Sequence, residues 1–302
     1  MTSHPTASAL PSDDRLRGRV RPGEVTQQLA RSRLGRPLAR AARRVLRRSG
    51  PPPSGSDYTP VVHRGQPIPP LALRNHMCGE AFLSNDFYLQ SAVVEATRLP
   101  AQLGFRPGSR VIDVGCGLGR LATGMIEELG EDVDYLGIEP NRPFYEWCRD
   151  NIEASHPAYR FVHVDVVSEL YNPQGTVDGD ALRLPVETDS VDIVYVWGVF
   201  TNIIPEHVET YVAEFRRVVR DGGRIFLTAY VEDDCPQVSF NPEGYVPFDY
   251  VVPLNVVRFN RAWVFSLFEK DDLEVVDFRY HGAMFPKQSE ITLTTSGGRK
   301  GS

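Results

Sequence analysis

The sequence of 302 residues has few cysteines, no long apolar run and no apolar segment near its N-terminus. A membrane-spanning helix needs about 20 apolar residues, so we predict none. The polar N-terminal stretch lacks the apolar core of a secretory signal, so we expect a cytoplasmic protein. The four cysteines stand apart at Cys78, Cys116, Cys148 and Cys235, which favours a reducing compartment over a disulfide framework.

Metal-ligand spacing is also missing from the sequence. No two cysteines form a C-x-x-C pair, which is the commonest signature of a zinc site. The adjacent acids Asp233 and Asp234 supply two ligands without a third, which is too few for a divalent-ion site. We therefore predict no metal site.

Charge divides the chain into two parts. Residues 1–50 carry twelve arginines against three acids, whereas the remainder has 36 acidic and 21 basic residues. Residues 1–56 are polar and poor in large apolar side chains, so we predict a basic, largely disordered arm ahead of a folded domain over 57–302. The arm is suited to peripheral contact with anionic membranes. The acidic body argues against nucleic-acid binding over a broad face.

The centre of the folded part is a strand, a glycine-rich turn and a helix. Residues 110–114 are mostly apolar and predict a buried strand, and 118–129 carry apolar residues at helical spacing. The glycines between them, Gly115, Gly117 and Gly119, allow a ligand to approach the backbone closely. The helix N-terminus adds free N–H groups, so we predict a nucleotide-type ligand here.

Two residues around the turn decide which ligand is favoured. A dinucleotide turn has a third glycine where this chain has Arg120, which argues against a dehydrogenase. Asp113, on the strand just before the turn, would repel a pyrophosphate but suits a cationic ligand. The resulting D-x-G-x-G-x-G pattern resembles the first motif of class I S-adenosylmethionine (SAM)-dependent methyltransferases.

The rest of the chain continues this resemblance over about residues 69–296. Further strands are predicted over 133–138, 160–164, 191–197, 224–230, 273–280 and 291–295. Helices are predicted over 87–99, 142–153, 206–219 and 257–268. Their alternation predicts helices on both faces of a sheet. The resemblance implies a Rossmann-like, doubly wound α/β fold with a seven-stranded mixed sheet of order 3-2-1-4-5-7-6, its last strand antiparallel.

The resemblance also implies the cofactor, SAM, and the residues that hold it. Gly115, Cys116 and Gly117 would line its methionine part, with Asp113 near the ammonium group. Glu139 ends the second strand about 20 residues after the turn, where a carboxylate holds both ribose hydroxyls. Pro140 would flank the ribose. Trp197, which ends the fourth strand, is also predicted to contact the cofactor.

Two acids compete for the adenine amino group. Asp165 directly follows the third strand, which is where the resemblance places such an acid, and we rank it first. Asp180 belongs to the run Asp180-Ala181-Leu182-Arg183-Leu184-Pro185. The residue pattern of this run and its distance to the next strand favour Asp180 instead. The sequence leaves both open, with Ala181 beside the second.

A narrower resemblance concerns the acceptor. The runs Pro69-Pro70, Tyr171-Asn172-Pro173 and Val199-Phe200-Thr201 are similar to those of bacterial methyltransferases found near glycan or natural-product genes. We therefore expect methylation of a small-molecule or glycan acceptor, at a hydroxyl. Residues 233–260, rich in aromatic residues and proline, should cover the acceptor. Candidates for the base are His207, Asp233 and Asp234.

Three other functions stay open at this stage. One is N- or C-methylation of a natural product, since a nitrogen or carbanion acceptor does not need the base that a hydroxyl acceptor gains from. Another is aminopropyl transfer on the same fold, which would need further acids near Asp113. The last is a SAM-binding regulatory or scaffold module that shows no turnover.

Overall fold

The computed structural model describes residues 59–76, 80–168, 170–250, 254–283 and 285–296. The predicted basic arm over 1–56 and Cys78 lie outside these residues. Among the helices that are described, none is long and apolar enough to cross a membrane.

The described chain contains eleven strands and six α-helices in a largely alternating order. The strands are β1 Val61–His63, β2 Gln66–Ile68, β3 Arg110–Val114, β4 Asp134–Glu139, β5 Tyr159–His163, β6 Val191–Val196, β7 Val219–Glu232, β8 Val238–Phe240, β9 Val257–Asn260, β10 Leu273–Arg279 and β11 Gln288–Thr295. The helices are α1 Leu71–Arg74, α2 Asn85–Gln102, α3 Arg120–Glu128, α4 Arg142–Cys148, α5 Pro205–Val218 and α6 Arg261–Lys270. A π-helical turn over Arg149–Glu153 extends α4.

The central sheet has the predicted topology. Its strands run in the order β5-β4-β3-β6-β7-β11-β10. Strands β5, β4, β3, β6 and β7 are parallel, and β11 is antiparallel to both of its neighbours. Numbered as the seven predicted strands, this is the order 3-2-1-4-5-7-6 with the last strand antiparallel. The Rossmann-like fold class is therefore confirmed.

One predicted helix begins too early. The sequence prediction of a helix over 257–268 is wrong for its first four residues, which form β9 and pair with the end of β7 and with β8. Val257 and Phe259 are buried while their neighbours are half-buried, which is the alternation of a strand. The Asn260 side chain then accepts a hydrogen bond from the Trp263 N–H at 3.2 Å and starts α6 as its N-cap.

Apolar layers cover both faces of the sheet. One core joins the sheet to α5 and α6 and contains Ile112, Val208 and Phe268. The other joins it to α2, α3 and α4. Because consecutive strand residues point to opposite faces, β3 contributes Ile112 to the first core and Val111 to the second. The fixed sheet places the carboxyl ends of its parallel strands together at one edge.

The second core depends on a close approach of two helices. Gly124, in the middle of α3, faces the backbone of α2 at Ala92, where a Cβ atom would overlap the Ala92 carbonyl group. A glycine inside a helix costs about 1 kcal/mol relative to alanine. Its presence here is explained by the short distance between the two helix backbones.

We expect Gly124→Ala to lower the free energy of unfolding by about 1–3 kcal/mol, because overpacking outweighs the gain in helix propensity. Denaturant unfolding measures this change. The matched control is Glu127→Ala at an exposed position of the same helix, which should stay within about 0.5 kcal/mol of the parent. Unchanged or increased stability of Gly124→Ala would show that α2 and α3 do not pack this closely.

Candidate active site

A cavity of about 410 Å³ opens at the carboxyl ends of β3, β4, β5 and β6. This edge is where open α/β sheets bind their ligands. Part of its wall comes from the turn after β3 and from the strand ends beside it, namely Asp113, Gly115, Cys116, Gly117, Ile138, Glu139, Pro140 and Trp197. The predicted cofactor residues of this part of the sequence therefore meet around one space.

The turn after β3 requires glycine. Gly115 has φ of +74°, and a Cβ atom there would lie 2.5 Å from Cγ2 of Val199. Gly117 has φ of +57°, but no atom lies within 4 Å of where its Cβ would stand. Both residues line the cavity. The backbone at Gly117 is thus open to a ligand, while Gly115 lets the turn pass beneath the β6 exit.

Glu139 holds the turn against the end of β4. Its Oε2 atom accepts a hydrogen bond from the Gly117 N–H at 2.7 Å, and its Oε1 atom accepts one from the Asn141 N–H at 2.8 Å. The side chain is only 4% exposed. Burial raises the pKa of Glu139 to about 7, although both backbone N–H groups oppose this rise. Each oxygen keeps a lone pair for a further donor from the cavity.

Asp113 is a second buried acid at the same wall. Its Oδ2 atom accepts a hydrogen bond from the Tyr135 hydroxyl at 2.8 Å. Burial raises the pKa of Asp113 to about 7, and the Tyr135 hydrogen bond and the positive charge of Arg120 act in the opposite direction. An acid held in this way gains from a cationic partner.

His207, in the first turn of α5, also lines the cavity. Its Nε2 atom lies 3.0 Å from Oδ1 of Asp178, and both residues line the cavity. The neighbouring Gly179 leaves room for the imidazole, because a Cβ atom there would overlap the ring. The ring is therefore held between a carboxylate and the backbone.

The two adenine candidates are placed outside the cavity lining. Asp165 accepts hydrogen bonds from Asn172 at 3.0 Å and from Thr176 at 2.7 Å within its own loop. Asp180 and Ala181 are exposed on a short 3₁₀ turn. In the part of the chain that the structure describes, the acid of this segment that lines the cavity is Asp178.

Leu254 of the predicted covering segment lines the cavity, whereas the two acids and the aromatic residues described for this segment do not. Asp233 is exposed and forms an ion pair with Arg261 at 2.8 Å, and Asp234 is exposed beside it. Neither acid lines the cavity in the described chain. Of the aromatic residues expected there, Phe240 is 51% exposed, whereas Tyr245 and Phe248 pack around Val256 in a separate apolar cluster. These residues lie away from the cavity because β9 pairs with the end of β7 and holds the segment there.

Sequence reasoning missed several cavity residues that come from distant parts of the chain. Phe82 and Phe285 pack on each other with ring centroids 5.6 Å apart, and both contact Trp197. Gln288, at the start of β11, lies beside them in the lining. These residues stand outside any periodic motif, so no local pattern marks them. For Asp178, the only indication in the sequence was its position close to the predicted residue Asp180.

Comparison with known proteins agrees with this arrangement. The model of the methyltransferase domain family matches residues 112–227, from the middle of β3 into β7. A sterol 24-C-methyltransferase of Schizosaccharomyces pombe is 26% identical over 220 residues, covering 70% of this chain and 54% of that protein. A demethylmenaquinone methyltransferase of Bacillus mycoides is 25% identical over 159 residues, covering 52% and 59% respectively. The chain thus spans somewhat more than half the length of these relatives.

Among solved structures, the [4+2]-cyclase SpnF superimposes with a TM-score of 0.50 at 14% identity, covering 69% of this chain and 82% of that one. This likeness concerns the fold, which hosts more than one chemistry. The sequence match over 112–227 covers the glycine turn, Asp113 and Glu139. Residues 112–227 of this chain are therefore similar to the methyltransferase domain family over the stretch that builds this wall of the cavity.

Proposed function

We propose that this protein transfers a methyl group from SAM to a small-molecule acceptor. The observation that carries the proposal is the position of Gly117 in the wall of one cavity with two buried acids, Asp113 and Glu139. A cationic amino-acid group and a ribose are the two parts of SAM that such acids recognise. Because the chain matches only part of each relative, the activity rests on this geometry and not on their names.

Each part of SAM has a proposed place along the cavity. Asp113 pairs with the ammonium group, and Gly115, Cys116 and Gly117 line the methionine chain. Glu139 accepts hydrogen bonds from the ribose hydroxyls through its free lone pairs, with Pro140 beside the ring. The adenine lies toward the β5 side, where Asp165, Asp180 and Ala181 stay predicted contacts and Asp178 is added because it lines the cavity.

The protein's part in the reaction is to hold and orient the two substrates. SAM supplies an electrophilic methyl group on a sulfonium, so the acceptor atom must only be placed in line with it. Positioning of this kind lowers barriers by up to about 7–11 kcal/mol in favourable intramolecular reactions. The largely apolar walls contributed by Phe82, Trp197 and Phe285 exclude water from the space beside the turn.

The structure favours an apolar ring over a glycan as the acceptor. The glycan hypothesis came from a sequence resemblance and gained support from the aromatic and acidic residues of 233–260, but those that the structure describes do not line the cavity. The aromatic residues Phe82, Trp197 and Phe285 line it instead. A hydroxyl acceptor is supported by His207, which is oriented by Asp178 and can serve as a base. Methylation at carbon, as named for the sterol relative, is the second candidate because it suits the same apolar wall.

We expect Glu139→Ala to weaken SAM binding by about 1.5–3 kcal/mol, the usual value of hydrogen bonds to a charged group. This is about a 10- to 150-fold rise in Kd by calorimetry. The control is Glu146→Ala, which removes a half-exposed acid on α4 and should leave Kd unchanged. Equal affinities of parent and folded Glu139→Ala would remove Glu139 from the ribose site.

SAM affinity should fall when the pH is lowered below about 7, because Asp113 must be ionised to pair with the ammonium group. Its pKa is raised to about 7 by burial, so binding at lower pH must first release a proton. For one linked proton, the association constant of SAM falls by up to about tenfold per pH unit. Protonation of Glu139 below its own raised pKa adds to this fall. The ammonium group itself stays protonated there.

The test measures Kd by calorimetry at several pH values from about 5.5 to 7.5, a range that spans the raised pKa of Asp113 and lies above the ordinary pKa of a carboxyl group. Asp113→Asn should bind more weakly at the upper end and show a flatter profile. A parent profile that is flat over this range would contradict the pairing of Asp113 with the ammonium group.

For a hydroxyl acceptor, His207→Ala should lower kcat by about 10²–10⁴-fold at saturating SAM, because a base is lost while SAM stays bound. The acceptor is first identified by incubating the protein with labelled SAM and small-molecule extracts. The molecular mass of the labelled product is then measured by mass spectrometry. Asp233→Ala and Asp234→Ala are the matched variants and should keep kcat. Full kcat in His207→Ala would favour an acceptor that needs no base, and absence of any labelled product would favour a SAM-binding module.

A further inference from the structure

We propose that Asn202 is a positioning residue that sets which acceptors fit, because its amide holds Leu254 in the cavity wall. The inference rests on the proposed function, in which the cofactor occupies the carboxyl ends of β3, β4 and β5 and leaves the β6 exit to the acceptor. Both residues line the cavity. Asn202 follows β6 in the chain, whereas Leu254 belongs to the segment that leads into β9.

The Asn202 side chain joins these two segments directly. Its Nδ2 atom donates one hydrogen bond to the Leu254 carbonyl oxygen at 2.9 Å and another to the Asn255 carbonyl oxygen at 2.7 Å. Its Oδ1 atom lies 2.8 Å from the Thr201 hydroxyl oxygen. Because both N–H groups of the amide are used within the protein, Asn202 has no donor left for a ligand. It therefore acts on the acceptor through Leu254.

The backbone supports the same connection. The Val257 N–H donates a hydrogen bond to the Thr201 carbonyl oxygen at 2.8 Å, at the residue where β9 begins. Residues 254–256 themselves lie outside any helix or strand. The carbonyl groups of Leu254 and of the residue after it thus have the Asn202 amide as a partner where a strand would have a neighbouring backbone. Loss of that amide should free this part of the wall.

Leu254 is placed to limit the size of the acceptor. Its half-buried side chain packs against the core that joins the sheet to α5 and α6, and the residue also lines the cavity. An apolar side chain in a pocket wall excludes substrates that carry extra carbon at that point. One methylene in an apolar pocket changes specificity by about 10- to 200-fold. Withdrawal of Leu254 would therefore enlarge the acceptor space while leaving the glycine turn unchanged.

Two flat hydroxylated rings of different size test the inference. Phenol and 2-naphthol are each titrated in a calorimeter into the protein saturated with S-adenosylhomocysteine, which is SAM without its methyl group. In Asn202→Ala, the ratio of the phenol Kd to the 2-naphthol Kd should rise by about tenfold or more over the unaltered protein. Asn202→Asp keeps the shape of the side chain but lacks the N–H groups, so it should raise the ratio as well.

Leu254→Ala tests the wall without removing the hydrogen bonds of Asn202, and it should raise the ratio in the same way. The double variant Asn202→Ala/Leu254→Ala should raise it no further than Leu254→Ala alone, because Asn202 acts through Leu254. The Kd of SAM should be the same in all these variants. The matched control is Leu71→Ala, which truncates a leucine that is 50% exposed and should keep the ratio of the unaltered protein.

An unchanged ratio in folded Asn202→Ala would overturn the inference and leave Asn202 a structural role alone. An unchanged ratio in Leu254→Ala would also overturn it, as would additive effects in the double variant. Weakened SAM binding in Leu254→Ala would show that this wall faces the cofactor and would overturn it too. If the unaltered protein binds SAM but neither ring, the inference fails, whereas failure to bind SAM would remove the proposed function.

Discussion

The active site depends on the contact between the Glu139 carboxylate and the Gly117 N–H group. This hydrogen bond ties the turn after β3 to the end of β4, and the second bond to Asn141 fixes the same carboxylate from the other side. Two backbone hydrogen bonds, from the Gly115 and Cys116 N–H groups to the Ile138 carbonyl oxygen, join the same turn to β4. In this arrangement Gly117 faces free space, so the turn is open to a ligand.

The buried charges at this wall oppose stability and favour binding. Burial raises the pKa of both Asp113 and Glu139 to about 7, which shows that their ionised forms are disfavoured in the unliganded chain. Arg120 adds a buried cation to the cavity lining. The proposed ligand brings an ammonium group to Asp113 and ribose hydroxyls to Glu139, which are partners that the ionised carboxylates lack in the unliganded chain. Such prearranged charges cost little reorganisation when the ligand binds.

The sequence predicted the fold well because each signal was local. The strands of the parallel sheet follow from apolar runs, and the turn follows from three closely spaced glycines. The helix expected over 257–268 failed at its start because Val257 and Phe259 pair with β7 and β8, which no local pattern announces. Tertiary pairing overrides the periodicity of such short apolar segments.

The site was predictable only on its cofactor side. Asp113, the glycines and Glu139 belong to one motif and one strand end, so their spacing carries the information. The acceptor side is assembled from Phe82, Trp197 and Phe285, whose meeting is set by the docking of separate segments. For the same reason Asp233 and Asp234 were misplaced, since the end of β7 leads away from the cavity.

The turn after β3 is proposed to bind SAM and not a dinucleotide. Titrating the protein with SAM and, separately, with NAD in a calorimeter distinguishes the two ligands. We expect SAM to bind with Kd in the micromolar range, a binding free energy of about −8 kcal/mol, and NAD to give no comparable heat. Binding of NAD without binding of SAM would contradict it.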